Sequence, residues 1–349
     1  MMIVQHYSKQ ESRQSLDQVL RLKRWSLLSK LQSLEQMQVL AVIPIGTGLG
    51  NLEVMFLEQL MSLALEGDRR ALARLLSSIE NGETILKSEA KESDDWNVLA
   101  LTGPPGVGKS CLLDRLLHVW TDKGLKIGVL AVDPSSPRSG GALLGDRVRM
   151  TVVDHPEKKD LVYVRSVATR KSSGSVPSVV QEMAACLLMT GWDKVIIETV
   201  GAGQSEVRCA AVADRIVLIE GPARGDGVQA EKAGLLELAD AILVNKSDLP
   251  GAERHANELR ESLQLGKGIP PEVQLVSALK GDGIEEAATL LMELKQTSRA
   301  ERARWRERIL SRHERQILNH PEFNEILTNL EKGLIGFDSA YAILREVDE

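Results

Sequence analysis

The chain has 349 residues, 43% of them hydrophobic, with a formal net charge of −6 and a pI near 5.7. That is enough apolar material for a sizeable core with extensions, and the acidic balance gives no support to nucleic acid as the main partner. No apolar run reaches the roughly 18 residues of a membrane span, and Cys111, Cys186 and Cys209 form no CxxC, so neither a disulfide framework nor a zinc site is expected.

Residues 1–54 carry weak, mixed patterning and end in the glycine-rich stretch Gly46-Thr-Gly-Leu-Gly50. They hold no apolar core followed by a small-residue cleavage site, so secretion is not expected. An atypical leader or an extended start is expected, and a cytoplasmic location, or the mitochondrial matrix in a eukaryotic source. From Met55 a helical hairpin is predicted over 55–95. Asp68 is a good N-cap, Leu72, Leu75, Leu76 and Ile79 recur at helical spacing, and Asn81-Gly82 stops the helix. A polar linker, Lys87 to Asp95, leads into the main domain.

Over 96–290 short β-rich runs alternate with helical stretches. The predicted strands are Val98–Thr102, Ile127–Asp133, Leu161–Arg165, Val195–Thr199, Ile216–Glu220, Ala241–Asn245 and Val273–Ser277. Their nearly continuous apolar runs suit strands covered on both faces, so the fold class is α/β, a doubly wound and mostly parallel sheet. Residues 291–349 read as a charged helical arm. Between Arg299 and Arg315 it holds seven arginines and three glutamates, read as a solvated helix face.

The stretch Gly103-Pro104-Pro105-Gly106-Val107-Gly108-Lys109-Ser110 matches GxxxxGK[ST] between a predicted strand and a predicted helix, Cys111–Val119. Its glycines let backbone N–H groups turn inward around a phosphate without Cβ clashes, and the helix start adds its positive end. Lys109 has the reach to touch the β- and γ-phosphates, and the Ser110 hydroxyl is a ligand for Mg²⁺. Pro104 stands where one branch of dimeric ATPases has a second lysine, which disfavours that branch.

Two acids end later strands, where ligands bind in open α/β sheets: Asp133 before Pro134-Ser135, and Glu198 before Thr199-Val200-Gly201. A carboxylate there is suited to holding a Mg²⁺-bound water, and the Gly201 N–H to sensing the γ-phosphate. Asn245-Lys246-Ser247-Asp248 is an NKxD pattern, whose aspartate accepts from guanine N1–H and the 2-amino group. Adenine lacks both donors and would leave a buried carboxylate unpaired. Ser277-Ala278-Leu279 fits the loop whose backbone N–H reads guanine O6. GTP bound with Mg²⁺ is the expected ligand, and GTP hydrolysis the expected reaction.

The combined motifs resemble the MeaB/ArgK family. They are Val132-Asp133-Pro-Ser-Ser-Pro137, Ser139 to Arg147 with Asp146, Arg149-Met150, Glu198 to Glu206 with Gln204, Gly234 to Asp240, and Glu66 to Arg74. The resemblance covers Met55 to the C-terminus. It implies a GTPase chaperone of a cobalamin-dependent acyl-CoA mutase, most familiarly methylmalonyl-CoA mutase, which gates cofactor loading and protects or reactivates the mutase. It also implies a homodimer made through the C-terminal arm, with Ser110, Asp133, Asp146 and Glu198 around Mg²⁺. No nucleic acid or membrane partner is implied. Gln204 and Lys232 are the candidates for orienting the attacking water. Older labels of a transport kinase find no support, since no kinase acceptor site is identifiable. One departure stands out: Gly225-Asp-Gly-Val-Gln-Ala-Glu-Lys232-Ala-Gly234 keeps Asp226, Gln229 and Lys232 but lacks the family's acidic residue after Asp226 and its second lysine. The rival readings are a metal-delivering GTPase, which normally shows a His- or Cys-rich stretch, and a nucleotide-holding scaffold with little turnover.

Overall fold

The buried strands assemble as their apolar runs require. The computed structural model describes residues 50–81, 95–134, 150–169, 176–199, 212–222, 236, 238–265, 268–295, 298–318 and 320–345. Strands β1 (Val98–Thr102), β2 (Ile127–Pro134), β3 (Val162–Thr169), β4 (Lys194–Thr199), β5 (Arg215–Glu220), β6 (Ala241–Val244) and β7 (Glu272–Leu275) form one sheet in the order β3-β2-β4-β1-β5-β6-β7. Each neighbouring pair is parallel. Among the described residues the sheet is therefore wholly parallel, where a mostly parallel one was expected. All six β5 side chains are buried, and so are all four of β6, because helices cover both faces.

The hairpin ahead of the sheet is α1 (Gly50–Leu65) and α2 (Arg69–Glu80). The first helix starts at Gly50 rather than at Met55, because Leu52-Glu-Val54 continue a helix-compatible run without a break. Asp68 caps α2 as expected, accepting from the N–H groups of Arg70 and Ala71 at 2.7 and 3.2 Å. Leu72, Leu75, Leu76 and Ile79 share one apolar core with Val195 and Ile197 of β4 and Ile216 of β5. The hairpin is thus built into the sheet domain. Arg69 donates to the Lys159 and Val162 carbonyls at 2.5 and 2.7 Å, and its guanidinium lies near the Tyr163 and Trp192 rings. Glu80 pairs with Arg165 at 2.5 Å. Arg69 thereby satisfies the Val162 carbonyl at the start of the edge strand β3.

The opposite face is covered by α3 (Lys109–Asp122) and α6 (Ile284–Met292), around Leu112, Leu116, Trp120, Ile196 and Leu291. The indole N–H groups of Trp96 and Trp120 donate to the α6 carbonyls of Leu291 and Ala288 at 2.7 and 3.0 Å. Helix α4 (Val176–Met189) lies with the hairpin, and α5 (Ala252–Gln264) packs Ala256, Leu259 and Leu263 against Leu218, Ile242 and Val244.

The arm comprises α7 (Ser298–Leu318), α8 (Phe323–Glu331) and α9 (Phe337–Arg345). Its arginine run is not simply a solvated face. Arg304 is 2% exposed and pairs with Asp240, and it donates to the Asp214 and Leu238 carbonyls at 2.7 and 3.2 Å. The Asp240 carboxylate also accepts from the Ile216 N–H at 2.8 Å. Composition marks such a run as charged, but a single residue at the right helical turn is drawn in by a carboxylate waiting at the foot of the sheet. Among the described residues no helix is long and apolar enough to cross a membrane.

Candidate nucleotide and metal site

The strand order places β1 between β4 and β5, so the loop leaving β1 opens where the sheet changes winding direction, the position at which open α/β sheets bind ligands. The loop is gripped tightly there. Gly103 has φ +146°, and a Cβ on it would lie 2.1 Å from the Ile219 carbonyl oxygen, so no other residue fits. Gly108, the residue before α3, has φ +96°, and a Cβ would sit 2.6 Å from Asn245 Nδ2. Lys109 is 7% exposed and its ammonium donates to the carbonyls of Gly103 and Pro104 at 2.7 and 3.1 Å. The cation is thus held at the mouth of the loop, where phosphate oxygens would compete for it. Gly106, φ +75°, and Pro105 are at the loop's outer turn, and Val107 packs on Gly221 beyond β5.

Ser110 and Glu198 come together as expected. The Ser110 hydroxyl donates to Glu198 Oε1 at 2.6 Å, and Glu198 is 3% exposed. A hydroxyl and a buried carboxylate at the C-terminal rim of the sheet, beside the lysine, are a hard-oxygen donor set of the kind Mg²⁺ takes with nucleotide phosphates, so these residues fit that ion. Asp133 lies near the end of β2, in register with Ala168. Asp146, Gly201, Gln204 and Lys232 lie outside the described residues.

The NKxD residues divide their work. Asn245 is 2% exposed; its Nδ2 donates to the Val107 carbonyl at 2.9 Å and its Oδ1 accepts from the Ala278 N–H at 3.0 Å. Lys246, with φ 64°, reaches back to the Gly106 carbonyl at 2.7 Å. Both are braces on the phosphate loop. Asp248 is held apart from that loop: Ser277 donates its hydroxyl to Asp248 Oδ1 at 2.5 Å while accepting from the Lys280 N–H at 3.1 Å. That orients the carboxylate before any base arrives. Leu279 is 75% exposed beside it.

Sequence reasoning missed four supports. Arg115 of α3 donates to the Ala278 carbonyl at 3.0 Å, tying α3 to the loop that carries Ser277. Asp114, one turn beyond Ser110, accepts from the Thr151 hydroxyl and the Val152 N–H at 2.7 and 3.0 Å. His118, another turn on, meets Thr151 at 3.1 Å and the Lys158 ammonium at 3.3 Å. With Lys158 donating to Nδ1, the ring is neutral with its proton on Nε2, and burial together with Lys158 and His155 holds its pKa below the usual value against the pull of Asp114 and Asp122. Helical spacing of Ser110, Asp114 and His118 was the available signal, but their partners lie far along the chain. Finally, the buried hydroxyls of Thr102 and Thr199 bond to each other at 3.0 Å between the ends of β1 and β4.

Comparison with known proteins agrees with this geometry. The sequence profile of the family described as methylmalonyl-CoA mutase-associated GTPase MeaB matches residues 72–329. A Pyrococcus horikoshii protein named as a putative GTPase is 40% identical over 240 residues, spanning 66% of this chain and 75% of that one. The fused isobutyryl-CoA mutase of Cupriavidus metallidurans is 35% identical over 213 residues, 58% of this chain but 19% of that much longer protein. The crystal structure of an LAO/AO transport system kinase superposes with a TM-score of 0.51 at 22% identity, covering 84% of this chain and 97% of the other, a likeness of fold. With a glycine-rich strand-to-helix loop, a Ser110–Glu198 pair and a Ser277–Asp248 pair on one parallel sheet, the chain belongs to the MeaB family of methylmalonyl-CoA mutase-associated GTPases.

Proposed function

We propose that the chain binds GTP with Mg²⁺, hydrolyses it slowly, and acts as the GTPase chaperone of a cobalamin-dependent acyl-CoA mutase, methylmalonyl-CoA mutase first among the candidates. The observation that carries the nucleotide chemistry is the Ser110–Glu198 contact at 2.6 Å beside Lys109. The partner rests on the family and on a relative in which a matching segment is part of an isobutyryl-CoA mutase. Backbone N–H groups of residues 103–110 and the start of α3 would cradle the phosphates, and Lys109 would neutralise the charge that develops on them. Ser110 and Glu198, with Asp133 and Asp146, would hold Mg²⁺, which supplies further charge neutralisation on the phosphate oxygens when bound. Gln204 and Lys232 remain the candidates for orienting the attacking water, and the Gly201 N–H for sensing the γ-phosphate. Asp248 reads the base.

A second copy of the chain is the proposed partner of the arm: Trp305 and Ile309 of α7 are 53% and 64% exposed, and Leu334 and Phe337 are 68% and 74% exposed. The proposed location is the cytoplasm, or the mitochondrial matrix in a eukaryotic source. Loops that contact the γ-phosphate differ before and after hydrolysis, so a mutase that prefers one state must alter nucleotide affinity in return. The test titrates the host's cobalamin mutases while phosphate release and complex formation are measured with GDP and with a non-hydrolysable GTP analogue. A rise in turnover and a nucleotide-dependent affinity are expected. If none of these mutases binds or changes turnover, the chaperone reading falls and GTP hydrolysis alone stands.

A further inference from the structure

Strands β1 and β4 run side by side with Leu101 opposite Glu198. Side chains alternate between faces, so Glu198 and Ile196 look toward α3, whereas Thr102 and Thr199 fall on the opposite face with Ala100 and Ile197. The backbone register of β4 with β1 ends at Glu198, while its register with β2 continues one residue further, to Thr199 opposite Val132. Past Glu198 the seam between β1 and β4 is joined by the Thr199 hydroxyl donating to the Thr102 hydroxyl at 3.0 Å. Both threonines are fully enclosed, at 0% and 1% exposure. On its other side Thr102 is in register with Leu218 of β5, and Gly103 follows with no room for a Cβ.

This seam is the one that must hold its width. The phosphate loop leaves from Thr102 and returns as Ser110, and Ser110 must meet the carboxylate carried one residue before Thr199. We propose that Thr102 and Thr199 are positioning residues: their hydroxyl pair, on the far face of the sheet, sets the spacing between the phosphate loop and Glu198 and so the fit of the Mg²⁺–nucleotide. The proposal rests on Ser110 and Glu198 holding the metal.

The experiment compares Thr199→Val, Thr102→Val, the double variant, Thr199→Ser, and Ser110→Ala. Valine keeps the branched shape and removes the hydroxyl. Three quantities are read: the Mg²⁺ concentration for half-maximal GTP turnover, the affinity for GDP in EDTA, and the melting temperature. For either valine variant the Mg²⁺ half-saturation is expected to rise about five- to tenfold, the scale of one lost hydrogen bond, with GDP affinity in EDTA nearly unchanged. Serine at 199 restores the wild-type value, and the double variant is no worse than the single ones because both remove the same bond. A lower melting temperature with unaltered Mg²⁺ dependence gives the pair a structural role only and overturns the proposal. If Thr199→Val does not fold, Thr102→Val carries the same expectations from the other end of the bond. Ser110→Ala separates the two levels: should it leave Mg²⁺ dependence intact, the metal reading itself is wrong, whereas a loss there with unaffected threonine variants sinks only the positioning claim.

Discussion

Replacing Asp240 by asparagine keeps its shape and one acceptor for the Ile216 N–H but deletes the charge that faces Arg304. The guanidinium then stays buried at 2% exposure with the neutral carbonyls of Asp214 and Leu238 as acceptors. Breaking a buried pair from one side costs about 3–5 kcal/mol, and the two retained carbonyls put this variant near the lower end, about 3 kcal/mol. Arg304→Met leaves the buried carboxylate its backbone donor and the neighbouring Arg215 charge, and is expected to cost no more than Asp240→Asn. The double variant contains neither charge, so its loss should fall short of the sum by about 2 kcal/mol. Urea unfolding of all four proteins, followed by circular dichroism and tryptophan fluorescence, measures the cycle. Single-variant losses below about 1 kcal/mol, or a double variant additive to within about 0.5 kcal/mol, would refute the view that this pair fastens the arm to the sheet.

Asp248→Asn should weaken GTP binding by roughly a few kcal/mol and move preference toward xanthosine nucleotides, whose 2-oxo group suits an amide donor; unchanged GTP affinity by calorimetry would remove base reading from Asp248. His118 has a folded pKa below its unfolded value of 6.5, so the unfolded chain takes up the proton first as pH falls. The stabilisation is complete above pH 6.5 and is lost as pH drops through the folded pKa; His118→Gln should flatten that part of a stability–pH curve, and an identical curve would exclude the group. Burial pushes the Cys186 thiol up to about 12, whereas Cys111 is exposed on α3. Iodoacetamide at pH 8 with peptide mapping should therefore label Cys111 in the native protein and Cys186 only after denaturation, and rapid native labelling of Cys186 would contradict its packing.

Much of the sheet could be read in advance because strands covered on both faces are written as unbroken apolar runs. Val98–Thr102 was placed to the residue. The strand predicted to stop at Arg165 runs on to Thr169, because pairing with β2 carries it past Arg165 and Ser166, and polar residues on an edge strand carry no apolar signal. The Gly103–Ser110 loop, the strand-end Glu198 and the Asn245–Asp248 motif could be placed on the sheet because such motifs need fixed residue types at fixed spacings. What stayed hidden was every partnership made across the chain. Nothing near Arg304 in sequence announces Asp240, and no local pattern links Thr102 to Thr199, 97 positions away. Strand order decides those pairs, and strand order is a property of the assembled core.

The division of labour within Asn245–Asp248 bears on how such a protein changes its nucleotide. Asn245 and Lys246 hold the 103–110 loop by its Val107 and Gly106 carbonyls, so altering either is expected to disturb phosphate binding whichever base is attached. The Asp248 carboxylate is instead bonded by the Ser277 hydroxyl. If the proposed roles hold, base preference can drift through Asp248 and its serine neighbour alone, while Asn245 and Lys246 are kept for the loop they brace; a relative that took another base would then keep Asn245 after losing Asp248.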